Sequence, residues 1–513
     1  MPRPRVAARL EDIVDASIAR RALAAALLAG LAAELLFDRV ALGINVPIAT
    51  VGTLVLLSLL GNRRPADPLD WWLAGVAAAA SIGPALRTDP SVVALDLWLV
   101  AIAVAAWSFA VSGVAVSRRA ACVVGTMGIQ AGIGVMTGFA WLLTRVGADG
   151  AFARGTRQIG RAAPVVRGAV IAIPILAGFG MLLGSADAVF GRALDQALRF
   201  PDVDEALVRA AFALVAAVVI AGPIVIAAGA KGLLDPIADP APVAPAPGDG
   251  VGRRSGATEA VVVLVAVDVL FAAFAVVQVV FLFGGRDTLA TVGMTYSDYA
   301  RQGYFQLVAV VALAGLLLIG AHEIAGRRRD LLWAGLALLV LTGVILASAA
   351  LRLRLYQHAY GWTELRFFVA ASIAWLAVAV GLAIGLLAAN RMRWIAHGLA
   401  GSAVAITLVV SAIGPQAFVM EQNIARVLDP ALVPEGGYSG FDVSYAISLG
   451  NDAVPQLVAA ISALPASVRD DALVALRERR RSLEAEAATG SAWQAWNLSR
   501  ERAREALGSL PER

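Results

Sequence analysis

Cysteine, lysine and histidine are nearly missing from this chain of 513 residues. Cys122 is the single cysteine, so no disulfide can form within the chain. Lys231 is the single lysine, and this preference for arginine indicates a coding bias rather than a function. The three histidines are scattered, which argues against a zinc site. Because the sequence also lacks a phosphate-binding loop, a metal-ligand cluster and a catalytic triad, it predicts no metal and no cofactor.

Charge is scarce as well, since charged residues make up 16% of the chain, hydrophobic residues make up 59%, and the mean hydropathy is +0.76. These values lie outside the averages of soluble domains. The apolar residues form runs of about 20, each long enough to cross a ~30 Å hydrocarbon core as an α-helix. The runs lack the alternation of an outer-membrane barrel. The sequence therefore predicts an all-α, polytopic transmembrane helix bundle in a bacterial cytoplasmic (inner) membrane.

Hydropathy predicts about eleven spans. Residues 120–145 are ambiguous because they are apolar but rich in glycine and interrupted by Gln130, so they form either a twelfth span or a re-entrant or interfacial helix. If they do not cross, arginines concentrate in the loops of one side, which predicts a cytoplasmic N-terminus and an extracytoplasmic C-terminal tail. The predicted spans are 18–37, 42–61, 70–86, 94–117, 165–185, 206–230, 259–283, 304–325, 331–351, 364–389 and 394–413.

Four regions follow from this pattern. Residues 1–232 form an N-terminal membrane half, and residues 259–413 form a C-terminal one. Residues 233–258, rich in proline, alanine and glycine, form a cytoplasmic linker. Residues 414–513 form a small helical domain, with a charged helix over 468–486. Its last helix is predicted to place four residues on one face, namely Trp493, Trp496, Ala503 and Leu507.

Polar and aromatic residues that hydropathy does not explain gather on the predicted outer side. Arginine binds carboxylate or phosphate through paired donors, and aromatic rings supply an apolar wall, so these segments suit an anionic headgroup or a sugar. The alternative is structural, because Tyr and Trp favour membrane interfaces and arginine side chains reach toward headgroups from helix ends. The predicted ligand-binding residues are Arg286, Tyr296, Asp298, Tyr299, Arg301, Arg354, Tyr356, Tyr360, Trp362, Glu364, Arg366, Asn423 and Arg426.

Two polar residues fall inside a predicted span. Asp268 lies nine residues into the seventh span, and Gln278 follows further along. Because a charge at the bilayer centre is costly, Asp268 is expected to face the bundle interior. It serves either proton or ion coupling or, as the alternative, helix packing as a neutral or paired residue.

Several segments carry a family resemblance: FAAFAVVQVVFLFGG, TYSDYARQGYFQLVAVVAL, ALRLRLYQHAYGWTELR, YAISLGNDAVPQLVAAI and WQAWNLSRERARE. With these motifs the chain resembles the bacterial membrane family called domain of unknown function 4173, related to 4153, over roughly residues 165–510. The resemblance implies a polytopic membrane protein. It implies no established reaction and no catalytic residues.

Three functions remain open. The preferred one is an outward-facing binding, transport or sensory protein for an envelope lipid or glycan-like ligand. The second is a lipid-linked glycosyltransferase-like enzyme, in which Glu34 and Asp38 of the first outer loop supply a general base or a metal ligand. The third is a structural scaffold that binds partners through its tail. Membrane lipids are the expected partners, and nucleic acid is not, because a basic excess in membrane loops is an orientation signal.

Overall fold

The computed structural model of the chain describes residues 5–147, 205–229 and 329–510, with short gaps at 62–63, 66, 119–120, 435–436, 439 and 489–492, and parts of 261–321. Every regular element in these ranges is helical, which confirms the predicted all-α fold. The chain divides into two compact units. The first contains residues 1–86, 96–240 and 491–497, and the second contains residues 87–95, 241–490 and 498–513.

The described residues of the first unit form six α-helices. The first turns of its fourth helix belong to the second unit. In chain order the helices are α1 (Arg5–Phe37), α2 (Asn45–Leu60), α3 (Trp71–Leu86), α4 (Pro90–Val111), α5 (Ala121–Gly147) and α6 (Glu205–Ala227).

Small residues let α6 pack closely against α1 and α5. A Cβ atom added to Gly222 of α6 would lie 2.5 Å from the backbone nitrogen of Val135 in α5. One added to Gly30 of α1 would overlap the carbonyl oxygen of Ala213 in α6. Small residues at a helix–helix interface let the two backbones approach closely. This kind of packing is typical of helices in membranes.

Six helices are long and apolar enough to cross a membrane, by length and composition, within the described ranges. They match six of the predicted spans and fit a membrane-embedded protein. By contrast, α2 has 16 residues, so its length of about 24 Å falls short of the hydrocarbon core. The six are Pro68–Leu86, Pro90–Val111, Glu205–Ala227, Arg329–Tyr360, Glu364–Ala388 and Ile395–Ile413.

The ambiguous residues 120–145 lie almost wholly within α5, which is one continuous helix of 27 residues packed on α1 and α6. It is not among the six helices named above. The predicted span 165–185 and most of 304–325 lie outside the described residues. The number of eleven spans and the orientation of the termini therefore stay predictions.

In the second unit the structure gives bounds for nine α-helices, and described helical residues also occur at 311, 314, 315, 317, 318 and 321. The nine helices are α7 (Leu264–Ala273), α8 (Arg329–Tyr360), α9 (Glu364–Ala388), α10 (Ile395–Ile413), α11 (Pro415–Leu428), α12 (Val443–Ser448), α13 (Val454–Ala460), α14 (Ala466–Ala488) and α15 (Leu498–Gly508).

The tail helices share one apolar core with the ends of the apolar helices in this unit. Leu476 of α14 and Leu507 of α15 are almost fully buried in that core. Phe367 of α9, Val410 of α10 and Val92 of the segment 87–95 contribute to the same cluster. The tail is therefore held by hydrophobic burial against the rest of its unit.

One helix extends beyond its predicted span, and one prediction about the tail is wrong. The ninth span is predicted over 331–351, and α8 continues past it to Tyr360, with a length of about 48 Å. It continues because its last turns carry good helix formers, and their polar side chains lower hydropathy without breaking the helix. Trp493 and Trp496 precede α15 and are exposed, whereas Ala503 and Leu507 do form its buried face.

Candidate functional site

Helix α8 ends beside the start of α9, and residues 361–363 link them. Gly361 has a φ of +76°, a left-handed conformation that glycine adopts without strain. Its backbone N–H donates to the Gln357 carbonyl at 2.8 Å. Thr363 then caps α9, because its hydroxyl accepts from the backbone N–H of Arg366. Residues 361–363 therefore fix the positions of the predicted site residues on either side of them, which are Tyr360 and Glu364.

The Arg426 side chain, from α11, covers the C-terminal end of α8. Its Nη1 donates to the carbonyls of His358 at 2.6 Å and Gln357 at 3.4 Å. Its Nη2 donates to the carbonyls of Ala359 at 3.3 Å and Tyr438 at 3.1 Å. The last carbonyls of a helix lack partners within it, and a cation there also interacts favourably with the helix dipole. Burial lowers the pKa of the Arg426 guanidinium, which nevertheless stays charged at neutral pH.

Arg366 strengthens the same helix end from the α9 side. Its Nη1 donates to the carbonyl of Tyr360 at 3.1 Å and to that of Gly361. The guanidinium also lies over the ring of Tyr356, 4.0 Å from its centroid, a cation–π contact. The rings of Tyr356 and Tyr360 are 5.2 Å apart. These three predicted residues therefore form one packed group.

Asn423 ties α11 to the link between α8 and α9. Its Oδ1 accepts from the backbone N–H of Trp362 at 2.8 Å, and its Nδ2 donates to the Trp362 carbonyl at 2.9 Å. The Trp362 ring packs edge-on against Phe418 of α11, with centroids 4.9 Å apart. Both the backbone and the ring of Trp362 are thus held in place.

Glu364, in the first turn of α9, also forms hydrogen bonds with its neighbours. Its Oε1 accepts from Gln416 Nε2 at 2.9 Å, and its backbone N–H donates to Tyr445 Oη at 2.9 Å. Burial raises the pKa of the Tyr445 phenol, which therefore stays neutral. Glu364 serves as a bridge to the tail helices.

A cavity of about 530 Å³ opens between α8, α9 and α11. This volume falls in the range of small-molecule binding sites. The apolar lining comes mostly from small and aliphatic side chains, and the polar lining comes from the C-terminal end of α8 and from α11. The lining residues are Ala350, Leu353, Arg354, Gln357, His358, Trp362, Ala370, Ile373, Ala374, Gln422, Arg426 and Leu432.

Arg354 differs from the other arginines of this site. Within the described residues its side chain makes no hydrogen bond and no ion pair, whereas Arg366 and Arg426 both donate to carbonyls. The buried Nε2 of Gln357, one turn further along α8, also lacks a partner among them. The cavity therefore offers a ligand one unpaired guanidinium and one amide donor beside the wall formed by Trp362.

A second polar cluster, which the sequence does not predict, connects residues 87–89 to the tail. Asp452 Oδ2 accepts from the backbone N–H groups of Thr88 at 2.8 Å and Asp89 at 3.1 Å, and from the Thr88 hydroxyl at 3.1 Å. Asp452 Oδ1 lies 3.6 Å from Arg87 Nη1. A Thr-Asp-Pro sequence before an apolar run does predict a helix cap, but it does not reveal a partner 363 residues away.

Asp89 itself caps α4, since its Oδ1 accepts from the backbone N–H groups of Ser91 at 2.9 Å and Val92 at 3.3 Å. Its Oδ2 is buried and has no hydrogen-bond partner among the described residues. Burial raises the pKa of this carboxyl to about 6, and the negative charges of Glu364 and Asp452 act in the same direction.

The remaining predicted site residues are not brought into this region by the described structure. Asp268 lies on α7, partly buried, and its Oδ1 has no hydrogen-bond partner among the described residues. Six others lie outside the described residues: Arg286, Tyr296, Asp298, Tyr299, Arg301 and Gln278.

Glu34 and Asp38, the acidic pair of the glycosyltransferase-like alternative, both lie close to Arg209 at the C-terminal end of α1. The Arg209 Nε of α6 donates to Glu34 Oε1, and it lies 3.6 Å from Asp38 Oδ2. Glu34 is buried, at 5% exposure. Because a general base needs an accessible carboxylate, this ion pair weighs against that role for Glu34. Within the described residues no group of three metal-binding side chains is present.

The chain belongs to the family described as a domain of unknown function, DUF4153, whose sequence model matches residues 74–460. The matched region includes α8, α9 and α11, which form the cavity, and the clustered residues 87–89 and Asp452. No curated protein and no solved structure matches the chain. The family establishes no activity, so function has to be argued from the cavity.

Proposed function

We propose that this chain is a multi-pass protein of the bacterial cytoplasmic membrane that binds an anionic envelope lipid or glycan-like ligand in the cavity between α8, α9 and α11. The observation that carries the proposal is the guanidinium of Arg354, which lines a cavity of about 530 Å³ and has no hydrogen-bond or ion-pair partner among the described residues. Arg366 and Arg426 hold the helix ends, so the cavity keeps its shape without using Arg354.

The N-terminus is cytoplasmic and the cavity faces outward in this proposal. Its support is the arginine distribution along the sequence, which follows the positive-inside rule. Binding is the shared first step of a transport and of a sensory protein. The ion pair of Glu34 with Arg209 makes the glycosyltransferase alternative weaker, and a scaffold would not need an unpaired guanidinium in a cavity.

The test is ligand binding to the purified full-length chain in detergent micelles, with R354Q and a matched variant, R391Q. Arg391 is exposed, follows the C-terminal end of α9 and does not line the cavity. A charge-assisted hydrogen bond contributes about 1.5–3 kcal/mol, so R354Q is expected to weaken binding of anionic lipids or acidic glycans about ten- to hundredfold. R391Q is expected to bind like the parent chain. Equal binding by R354Q and the parent chain would contradict the proposal.

A further inference from the structure

The lining of the cavity is polar at one end and apolar at the other. On α8 the lining residues recur at helical spacing, and the polar ones, Arg354, Gln357 and His358, lie nearest the C-terminal end. Ala350 lies deeper along the same face. The α9 wall is apolar, and it is formed by Ala370, Ile373 and Ala374. The cavity is therefore a groove with a polar head and an apolar floor.

The apolar floor extends into the part of α8 and α9 that is apolar enough to cross a membrane. Ala374 lies ten residues past Glu364, the first residue of α9, so it is about 15 Å along the helix. Half of a ~30 Å hydrocarbon core has the same depth. Ala350 and Ala374 are both exposed, so the floor is open along its side. Leu351 and Leu355 beside it on α8 are exposed at 39% and 47%.

We propose that the ligand of this groove is a lipid whose phosphate headgroup carries a net negative charge, that Arg354 binds the phosphate, and that the first part of one acyl or prenyl chain lies on the apolar floor. This inference rests on the proposed function and narrows its ligand class. A guanidinium pairs with two phosphate oxygens at once. The small side chains of Ala370 and Ala374 leave room for a chain of methylene groups beside them.

A soluble glycan fits the groove less well. Its hydroxyl groups would face Ala350, Ala370, Ile373 and Ala374, whose side chains offer no hydrogen-bond donor or acceptor. A free phosphate would use Arg354 alone and leave the floor unfilled. The lateral opening toward exposed leucines matches a ligand that arrives from within the bilayer rather than from water.

The experiment uses the full-length chain in phosphatidylcholine nanodiscs that contain phosphatidic acid with a photoreactive group in its acyl chain. Labelled peptides are identified by mass spectrometry. Labelling is expected within residues 350–354 and 370–374. R354Q, which removes the headgroup contact, and A370L, which fills the floor, are each expected to reduce this labelling about fivefold or more. A377L is the control, because Ala377 is exposed one turn further along α9 and does not line the groove.

Two competition arms separate this inference from the proposed function. Unlabelled phosphatidic acid is expected to compete, and inorganic phosphate is not. If inorganic phosphate binds the parent chain but not R354Q, while A370L changes nothing, the proposed function stands and the lipid inference falls. If R354Q is labelled like the parent chain, or if photoreactive phosphatidylcholine labels the same residues equally, both fall. If A370L does not fold, A350L takes its place. It fills the floor from the α8 wall, so the same loss of labelling is expected.

Discussion

Replacing Asp89 by asparagine is expected to stabilise the folded chain at neutral pH. Asp89 is buried at 1% exposure, and its pKa is raised to about 6 from an ordinary value of 3.8. Above pH 6 the carboxyl is ionised in both the folded and the unfolded state, so folding bears the full cost of burying the charge. One pKa unit corresponds to 1.36 kcal/mol, so this cost is about 2 to 3 kcal/mol.

The sign of the pH dependence follows from the raised pKa. As the pH falls from about 6 toward 3.8, the folded state takes up the proton first, and the destabilising contribution of Asp89 disappears. Asparagine caps a helix as well as aspartate does, so D89N keeps the hydrogen bonds to Ser91 and Val92. Its added N–H₂ group also supplies a donor near the Glu364 and Asp452 carboxylates, whose charges act on Asp89.

The assay is thermal unfolding in detergent micelles at about pH 7.5 and about pH 4.5. D89N is expected to unfold several degrees above the parent chain at the higher pH, and the difference is expected to become clearly smaller at the lower pH. D470N removes an exposed tail carboxyl and serves as the control. If D89N were less stable than the parent chain at pH 7.5, the inference that Asp89 bears a desolvation cost would be refuted.

Three further predictions concern the helix ends and the orientation. R426Q leaves carbonyls at the end of α8 without their charged donor, so we expect a loss of about 2–4 kcal/mol in unfolding free energy. R426K is expected to recover part of this loss. An unchanged unfolding midpoint for R426Q would contradict the capping role. G361A places a Cβ at a φ of +76° and 2.8 Å from an amide oxygen, so a loss of about 1–2 kcal/mol or more is expected in the same assay, and a wild-type midpoint would show that the link tolerates the clash. In a C122A background an impermeant maleimide is expected to label S467C but not R64C in intact cells, and the reverse pattern would place the tail in the cytoplasm.

Hydropathy was sufficient to predict the long apolar helices, because the length and composition of an apolar run directly determine whether it can span lipid. The ends of those helices were harder to predict. Polar side chains between Arg352 and Tyr360 lower the hydropathy while the backbone stays helical. The end of α8 is instead determined by Gly361 and by the guanidinium of Arg426, 68 residues from the His358 carbonyl it binds.

The candidate site, too, could be predicted from the sequence only in part. Residue type alone grouped Arg354, Arg366 and Arg426 as equivalent ligand-binding arginines. The structure separates them, because only hydrogen-bond geometry reveals that Arg366 and Arg426 donate to carbonyls, whereas Arg354 makes no hydrogen bond to any described residue. The role of Asp452 could not be predicted either, since its partners at Thr88 and Asp89 are more than 360 residues away in sequence.

The polar cluster that connects residues 87–89 to Asp452 has a consequence for the biosynthesis of the chain. A ribosome adding about 5–20 residues per second needs roughly 20–70 s to travel the 363 residues from Asp89 to Asp452. During that interval the early segment, including Val92, has none of its tail partners available. The second unit therefore cannot finish folding until translation is nearly complete, and a chain that ends before Asp452 would lack the hydrogen bonds that Asp452 accepts from Thr88 and Asp89.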